Sequence, residues 1–448
     1  MRIRFWGTRG SLAKPGPDTV RYGGNTSCVE VRAADGTLIV LDCGTGAHDL
    51  GRALLMPGDR PERGHLLISH THWDHIQGFP FFGPLFVPDT EWDVYAPRGL
   101  SRSLEAVLAG QMEYAYFPIT LGQMGATIRY HDIDEGVFEA GGVRVTARYL
   151  NHPALALGYR LEADGAALVY ATDHEPHSRH HQSSAPVHRE DQRHIDFLAG
   201  ADLIVHDAMY TEAEYPAKMS WGHSSAAQAV DFAIAARARW LALFHHDPSR
   251  DDDAVDRLVE VCRARAAAAG SPLDVFAAAE GQVVDLEPVD GATLATPAPA
   301  RAPAGVPAAT RRPTTILIAD DETVIVDLLT ETLAPSGFRL LCAFDGKTTL
   351  ALARSEHPDL ILLDWTMPGM DGLEVCRALR ESDDPRLNAV PIVLITAHTS
   401  AEETAAGFDA GVTDYIVKPF KPAHVRSRVE SWLIRLDRDR SGSDRSGR

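Results

Sequence analysis

The stretch His70-Thr71-His72-Trp73-Asp74-His75 follows directly on the apolar run His65-Leu66-Leu67-Ile68-Ser69. It places four side chains that can bind a metal at the end of a predicted buried strand. Neutral imidazole and carboxylate suit a borderline cation such as zinc. Because a turn that leaves a strand can direct side chains to two sides, this one segment can contribute to two metal sites. A histidine-rich surface turn is the alternative, and the recurrence of His and Asp at later strand ends disfavours it.

Length and composition limit the class of protein. The chain has 448 residues, which predicts two or three domains, and its 45% hydrophobic and 23% charged residues are typical of globular proteins. No apolar run reaches the roughly 18 to 20 residues of a membrane helix, and the N-terminal residues do not resemble a signal peptide. We therefore expect a cytoplasmic protein without a membrane partner. Five scattered cysteines disfavour a disulfide framework, and the net charge of −19 disfavours nucleic acid as a partner.

A change in composition marks the domain organisation. Residues 288–313 are rich in Pro and Ala without hydrophobic periodicity, so we predict a linker there. Residues 1–287 would form the first domain and residues 314–434 the second. The polar residues 435–448 are predicted to be a disordered tail.

Further candidate ligands follow the predicted strands of the first domain. Several short apolar runs each lead to an Asp or a His within two residues, as the runs 37–41, 168–171 and 241–244 do. Together with the opening stretch, these residues could fill two metal sites. His245 is followed by His246, which leaves the last ligand open between the two. The candidates are Asp42, His152, Asp173 and His245.

The order and context of these residues resemble the metallo-β-lactamase fold superfamily over nearly all of residues 1–287. The resemblance implies an αββα sandwich, two divalent metal ions and a metal-bridging hydroxide as nucleophile. Zinc is the first expectation, with manganese and iron as alternatives. Asp42 resembles an aspartate that supports the metal-binding turn by hydrogen bonds, although a turn-forming Asp before Gly is the alternative. The implied ligands are His70, His72 and His152 for the first metal, Asp74, His75 and His245 for the second, and Asp173 as the bridge, with Asp74 also in the catalytic set.

Two other segments bear on the reaction type. Val205-His206-Asp207-Ala208 and Gly222-His223-Ser224-Ser225-Ala226 resemble motifs of the transfer-RNA 3′-processing and phosphodiesterase branch. The resemblance implies that Asp207 orients His223, which acts as general acid. A histidine at a helix start, beside the cap candidates Ser224 and Ser225, is the alternative. Residues 5–10 and 243–248 resemble cyclic-ribose-phosphate phosphodiesterases, which favours a phosphate ester over a β-lactam.

Three segments allow more than one interpretation. The glycine-rich residues 6–11 and 23–27 either lie near the site or form plain hairpin turns. The aromatic stretch 112–118 is either a lid that stacks on a base or sugar, or buried core. The histidines between His174 and His194 lack a fixed ligand spacing, so we predict a mobile surface loop there.

The second domain shows apolar runs that end in polar residues, in the rhythm of a parallel sheet. Carboxylates at these ends could hold magnesium and accept a phosphoryl group while an ammonium neutralises charge. Residues 314–434 resemble a two-component receiver domain with a flavodoxin-like (βα)5 fold. An unphosphorylated pseudo-receiver is the alternative. The resemblance implies Mg²⁺ on Asp320, Asp321 and Asp364, phosphorylation of Asp364 by a sensor histidine kinase, phosphoryl contacts from Thr396 and Lys418, and Tyr415 as the aromatic switch.

These observations combine into one functional hypothesis. We expect a metal-dependent hydrolase of α/β class that cleaves a small phosphodiester and is regulated by phosphorylation of its receiver domain. The same site could instead cleave a lactone, a thioester or an RNA end, and fold analogy does not choose among these. A non-catalytic, phosphorylation-dependent signalling adaptor is the alternative from a different class. The expected partners are a histidine kinase and a small phosphate-ester substrate, with a second copy of the chain as a further candidate.

Overall fold

The structure, a computed structural model, describes most of the chain. The described residues are 1–58, 60–99, 102–177, 189–287, 314–397, 407, 410–420, 422, 425–426, 428–429 and 432–433. The predicted linker 288–313 and tail 435–448 lie outside them, so the predicted domain boundaries stay predictions. The chain divides into two compact units, Met1–Pro176 with Val187–Pro303, and His177–Pro186 with Ala304–Arg448.

The first unit contains two sheets of seven strands in its described part. Their orders are β14-β1-β2-β3-β4-β5-β6 and β13-β12-β11-β10-β9-β8-β7. The strands are β1 (Arg2–Gly7), β2 (Cys28–Arg32), β3 (Leu38–Leu41), β4 (Arg63–Leu67), β5 (Glu91–Pro97), β6 (Thr127–Ile133), β7 (Gly136–Ala140), β8 (Val143–Tyr149), β9 (Leu157–Ala163), β10 (Ala166–Ala171), β11 (Leu203–Asp207), β12 (Trp240–Phe244), β13 (Asp274–Ala277) and β14 (Val283–Asp285).

Helices cover the outer faces of both sheets. The α-helices of this unit are α1 (Ala47–Leu54), α2 (Trp73–Ile76), α3 (Leu104–Gln111), α4 (Arg189–Leu198), α5 (Ala226–Ala235) and α6 (Asp252–Ala268). Short 3-10 helices occur at Pro17–Thr19, Phe79–Phe81, Gly83–Phe86, Leu121–Gln123 and Tyr215–Ala217. Within the described residues, no helix combines the length and the apolar character needed to cross a bilayer.

The four residues of β3 show how the sequence builds these layers. Ile39 and Leu41 belong to the apolar cluster between the two sheets, whereas Leu38 and Val40 belong to the cluster between the first sheet and its helices. All four are buried because both faces of the strand are covered. Each such side chain contributes about 1.5–3 kcal/mol by leaving water. A third cluster joins the second sheet to α4, α5 and α6. The predicted αββα sandwich is confirmed.

The strand directions explain where the candidate residues meet. β3, β4 and β5 run parallel in the first sheet, and β10, β11 and β12 run parallel in the second. The carboxyl ends of parallel strands lie at one edge of a sheet, where α/β ligand sites form. Asp42 and His245 follow directly on β3 and β12, and Asp173 is the second residue after β10.

The second unit is a parallel sheet of five strands in its described part, in the order β16-β15-β17-β18-β19. Apolar clusters cover both faces of the sheet. This strand order is that of the flavodoxin-like fold, which confirms the prediction. The elements are β15 (Thr315–Ala319), α7 (Thr323–Leu333), a 3-10 helix (Ala334–Ser336), β16 (Arg339–Ala343), α8 (Gly346–Glu356), β17 (Leu360–Asp364), α9 (Gly372–Arg380), α10 (Pro385–Asn388), β18 (Ile392–Thr396) and β19 (Asp414–Val417).

Candidate functional site

A buried carboxylate holds the histidine-rich turn after β4. Asp42 Oδ1 accepts a hydrogen bond from Ser69 N at 2.6 Å. Its Oδ2 accepts from Ser69 Oγ at 2.8 Å, His75 Nδ1 at 2.7 Å and Tyr170 OH at 2.7 Å. Asp42 has a φ of 58°, a left-handed conformation that Asp adopts more readily than most residues. The geometry matches the supporting role expected for Asp42.

Four of the predicted ligands form a first group. The donor atoms of His70, His72, His152 and Asp173 all lie within 4.8 Å of one another. His152 Nε2 is 3.3 Å from His72 Nδ1, and His70 Nε2 is 3.6 Å from Asp173 Oδ2. The residues come from the turn after β4, from the end of β8 and from the end of β10, so the fold brings distant segments together.

Asp74, His75 and His245 form a second group within the same distance limit. His75 Nε2 is 3.2 Å and His245 Nε2 is 3.1 Å from Asp74 Oδ2. Asp173 Oδ1 lies 3.2 Å from His75 Nε2 and 3.3 Å from His245 Nε2. Its other oxygen faces the first group, so one carboxylate lies between the two groups.

Hydrogen bonds fix which ring nitrogens can bind a cation. His75 Nδ1 donates to Asp42, and His152 Nδ1 donates to the carbonyl oxygen of Gly222 at 3.0 Å. Each ring therefore turns an Nε2 lone pair towards the cluster. Within the described residues, His70 Nε2 and His75 Nε2 are buried without a hydrogen bond. Unpaired buried nitrogens beside carboxylates fit a pair of divalent cations.

The pKa shifts of the clustered histidines also fit a site that binds cations. Burial lowers the pKa of His70 and His152 well below the usual value, which keeps these imidazoles neutral. Burial would also lower the pKa of His75, but Asp74, Asp173 and Asp42 outweigh it and raise that pKa well above normal. The three carboxylates around His75 therefore favour positive charge at this position, which a divalent cation would supply.

Asp207 and His223 lie beside the second group. His223 Nδ1 is 2.7 Å from Asp207 Oδ2, and its ring stacks on that of His245 with centroids 4.9 Å apart. Burial opposes protonation of His223, but the Asp207 carboxylate raises its pKa to about 9. The alternative for His223 is a histidine at a helix start beside a cap residue. The cap is present, because Ser225 caps α5 by accepting from Gln228 N. A protonated imidazole is therefore available at this side of the cluster.

His245 and His246 differ in the partners that their Nε2 atoms face. His245 Nε2 faces Asp74 and Asp173, as described above. His246 Nε2 instead donates to the carbonyl oxygen of Ala278 at 2.9 Å. Burial lowers the pKa of His246 to about 3. His246 therefore supports the strand end, and His245 is the residue that reaches the cluster.

The second unit carries its own carboxylate group. Oxygens of Asp320, Asp321 and Asp364 lie within 4.8 Å of one another. Lys418 Nζ lies 2.8 Å from Asp320 Oδ2 and 2.7 Å from Asp364 Oδ1. Burial raises the pKa of Asp364, against the opposing effect of the Lys418 ammonium.

The two remaining receiver candidates lie on the strands beside this group. Thr396 ends β18 and accepts a backbone hydrogen bond from Lys418 N at 2.8 Å. Tyr415 is buried in β19. Thr396, at the end of β18, and Lys418, directly after β19, therefore lie at the carboxyl edge of the sheet.

Comparison with known families agrees with both sites. Residues 37–246 match the β-lactamase superfamily domain, and residues 316–430 match the response regulator receiver domain. The chain joins a metallo-β-lactamase-fold domain to a receiver domain. The former fold implies divalent metals, and receiver domains bind Mg²⁺ and take a phosphoryl group from a donor such as a histidine kinase.

Individual relatives cover parts of the chain. The DNA-binding response regulator MtrA of Mycobacterium tuberculosis (strain H37Rv) is 41% identical over 122 residues, which are 27% of this chain and 51% of that protein. The chain thus spans about half the length of the curated relatives it matches. The human tRNase Z short form is 21% identical, with 64% of this chain and 99% of that chain covered and a TM-score of 0.44. Chemotaxis protein CheY4 of Vibrio cholerae is 31% identical, with 27% and 98% covered and a TM-score of 0.26.

The segments left open by the sequence have different outcomes. Gly10 and Ser11 lie beside the second group, since Ser11 N donates to Asp74 Oδ2 at 2.7 Å and a Cβ on Gly10 would lie 2.3 Å from the His245 ring. The core interpretation of residues 112–118 is wrong for Tyr114 and Tyr116, which are 84% and 77% exposed. A lid role for this stretch stays a prediction.

The surface-loop prediction is wrong at both described ends of its segment. His174 and His194 are buried, and their rings stack with centroids 3.7 Å apart. His206 and Phe232 pack around them, which explains the burial. Residues 178–188 lie outside the described part of the chain.

Sequence reasoning missed three residues that hold the predicted ones. Ser69 and Tyr170 complete the contacts of Asp42, and Glu175 anchors the segment that ends at Gly222. None of the three had a residue-specific signal in the sequence, because Glu175 lies in the segment predicted to be a surface loop and its partners are Tyr215 OH and two backbone N–H groups.

Proposed function

We propose that this protein is a metal-dependent phosphodiesterase whose activity responds to phosphorylation of its receiver domain. One observation carries the proposal, namely two groups of donor atoms that share the Asp173 carboxylate and that come from buried residues, except for the exposed His72. Nitrogen and oxygen donors of this kind favour zinc, with manganese and iron as alternatives. His70, His72 and His152 would hold one cation, Asp74, His75 and His245 the other, and Asp173 both.

When bound, the two cations would supply an acidified water as nucleophile and neutralise charge on the attacked group. The protein's own contribution is to fix the donors. Asp42 orients His75 through a hydrogen bond to Nδ1, and the Gly222 carbonyl does the same for His152. Cys43, next to Asp42, is fully buried, and burial raises the pKa of its thiol, which disfavours a role as nucleophile.

The pair Asp207 and His223 supports a phosphate ester as substrate. Cleavage of a phosphodiester releases an alkoxide, which leaves faster when an acid delivers a proton to it. His223 retains its proton at neutral pH because Asp207 accepts a hydrogen bond from Nδ1 at 2.7 Å. Its Nε2–H then remains for the leaving oxygen.

The receiver domain would supply the control. Asp320, Asp321 and Asp364 would hold Mg²⁺, and Asp364 would accept a phosphoryl group from a sensor histidine kinase. Lys418 already contacts Asp364 and would neutralise the added charge, together with a contact from Thr396. Tyr415 would be the switch residue. A change in how the receiver packs would then alter the activity of the first domain.

The test measures hydrolysis of bis-p-nitrophenyl phosphate by the full chain with zinc or manganese, with and without acetyl phosphate. We expect turnover that H72A abolishes and that acetyl phosphate changes. The control is H48A, which removes an exposed histidine on α1. No turnover by the wild-type protein with either metal, while both cations are bound, would instead favour the adaptor function.

A further inference from the structure

Glu175 is a buried carboxylate that receives three hydrogen bonds from one short segment. Its Oε1 accepts from Tyr215 OH at 3.2 Å and from Ser220 N at 2.7 Å. Its Oε2 accepts from Gly222 N at 2.9 Å. Only 2% of the residue is exposed. The carboxylate therefore closes the segment 215–222 into a fixed conformation.

The same segment contacts His152, a member of the first group, at its end. The Gly222 carbonyl oxygen accepts from His152 Nδ1 at 3.0 Å, while the Gly222 N–H donates to Glu175. Gly222 has a φ of 88°, and a Cβ at this position would lie 2.3 Å from His152 Nδ1. The position thus requires glycine both for its backbone conformation and for its close approach to the imidazole.

Two hydrogen bonds join the Glu175 backbone to Asn151, the residue before the same histidine. Glu175 N donates to the carbonyl oxygen of Asn151 at 2.9 Å, and Asn151 Nδ2 donates to the carbonyl oxygen of Glu175 at 2.7 Å. Asn151 directly precedes His152. Glu175 is therefore bound to the backbone before His152 and, through Gly222, to the ring of His152.

We infer that Glu175 is a positioning residue that sets the tautomer and direction of the His152 imidazole by holding the Gly222 peptide. The inference rests on the proposed function for the role of His152 in binding a cation. Because a carbonyl oxygen can only accept, its contact keeps the proton on Nδ1 and leaves Nε2 free to face His72 and Asp173. His223 follows Gly222 directly, so the same anchor fixes the start of the segment that carries the proposed acid.

A carboxylate suits this position because its oxygens only accept. All three partners are donors, so the amide of E175Q would turn an N–H towards another N–H or towards Tyr215 OH. Partners that orient metal-binding histidines typically change metal affinity or activity about 10–100-fold when removed. We expect E175Q to weaken binding of the cation near His152 within that range.

The experiment follows the His152 ring and cation binding separately. Long-range proton–nitrogen NMR of the metal-free full chain reports the tautomer of each imidazole, and H152A assigns the His152 signals. Titration with Co²⁺, followed by its absorption spectrum, reports the two cation sites, and H152A identifies the component that depends on His152. E214Q is the matched control, because Glu214 lies just before the same segment but bonds to Thr211 N and Arg250 instead.

We expect the wild type and E214Q to show His152 with its proton on Nδ1 and two cation sites. E175Q should show a mixed tautomer and weaker binding in the His152-dependent component. Y215F, which keeps the carboxylate and removes one donor, should lie between wild type and E175Q, so the test holds if E175Q does not fold.

The outcomes separate this inference from the proposed function. If the wild type binds no Co²⁺ but the His152 tautomer still changes in E175Q, the metal function fails and the positioning role stands. If the wild type binds two Co²⁺ ions, and neither tautomer nor affinity changes in E175Q and Y215F, the inference about Glu175 is overturned. An equal loss in E214Q would also overturn it, because the effect would then be general to this part of the chain.

Discussion

Replacement of Asp42 by Asn tests how the histidine-rich turn is held. Asp42 is fully buried and accepts four hydrogen bonds, one on Oδ1 and three on Oδ2. Asn tolerates the left-handed φ of 58° about as well as Asp, so D42N leaves the backbone preference nearly unchanged. The variant therefore isolates the loss of one acceptor oxygen.

The expected change in the free energy of unfolding of D42N follows from the hydrogen-bond partners of Asp42. The new amide group must face either Ser69 N–H or His75 Nδ1–H, and both are donors. One hydrogen bond to a charged acceptor, worth about 1.5–3 kcal/mol, is lost, and a buried donor remains unpaired at a cost of about 1–3 kcal/mol. Burying an amide costs less than burying a carboxylate, which offsets part of this. We expect D42N to lower the free energy of unfolding of the first unit by about 2–4 kcal/mol.

The assay is urea unfolding of metal-free protein, followed by circular dichroism and tryptophan fluorescence. D49N is the control, because Asp49 is an exposed carboxylate of α1, and its free energy of unfolding should stay within about 0.5 kcal/mol of wild type. Equal stability of D42N and wild type would refute the reasoning. His75 would also lose its fixed tautomer in D42N, so affinity at the second group should fall.

Three further predictions concern the proton donor, a close contact and the receiver. D207N removes the carboxylate that raises the pKa of His223 to about 9, so the alkaline limb of the pH profile of kcat should move to lower pH. A limb that does not move would contradict the role of His223 as the acid. G10A places a Cβ about 2.3 Å from the His245 ring, so Co²⁺ titration should show weaker binding at the second group. Unchanged Co²⁺ affinity there would contradict this packing argument. D364N should abolish phosphorylation by acetyl phosphate, as measured in a phosphate-affinity gel, whereas the control D371N, at the cap of α9, should retain it. Phosphorylation of D364N would show that another residue is the acceptor.

The fold and most of the cluster could be predicted because their signals are local. An apolar run that ends in Asp or His places that residue at a sheet edge, and parallel strands bring such edges together. Asp42, Asp173 and His245 follow this rule. The position of Asp207 at the end of β11 follows it as well, and its contact with His223 needed only the additional segment before α5.

The remaining features depend on tertiary contacts that the sequence does not encode locally. His245 and His246 are neighbours in sequence, and only the carbonyl of Ala278 decides which one turns away. Glu175 is bonded to two backbone N–H groups, which have no residue-specific signal. The polar segment predicts a surface position for His174 and His194, whereas their rings are buried and stack on each other.

Anomalous diffraction at the zinc absorption edge, from crystals of the full chain grown with zinc, tests the central claim most directly. We predict two peaks, one on each side of the Asp173 carboxylate and each about 2.0–2.2 Å from one of its oxygens. One peak should lie against His70, His72 and His152, and the other against Asp74, His75 and His245. A map without density beside Asp173, or with zinc only on other histidines, would contradict it.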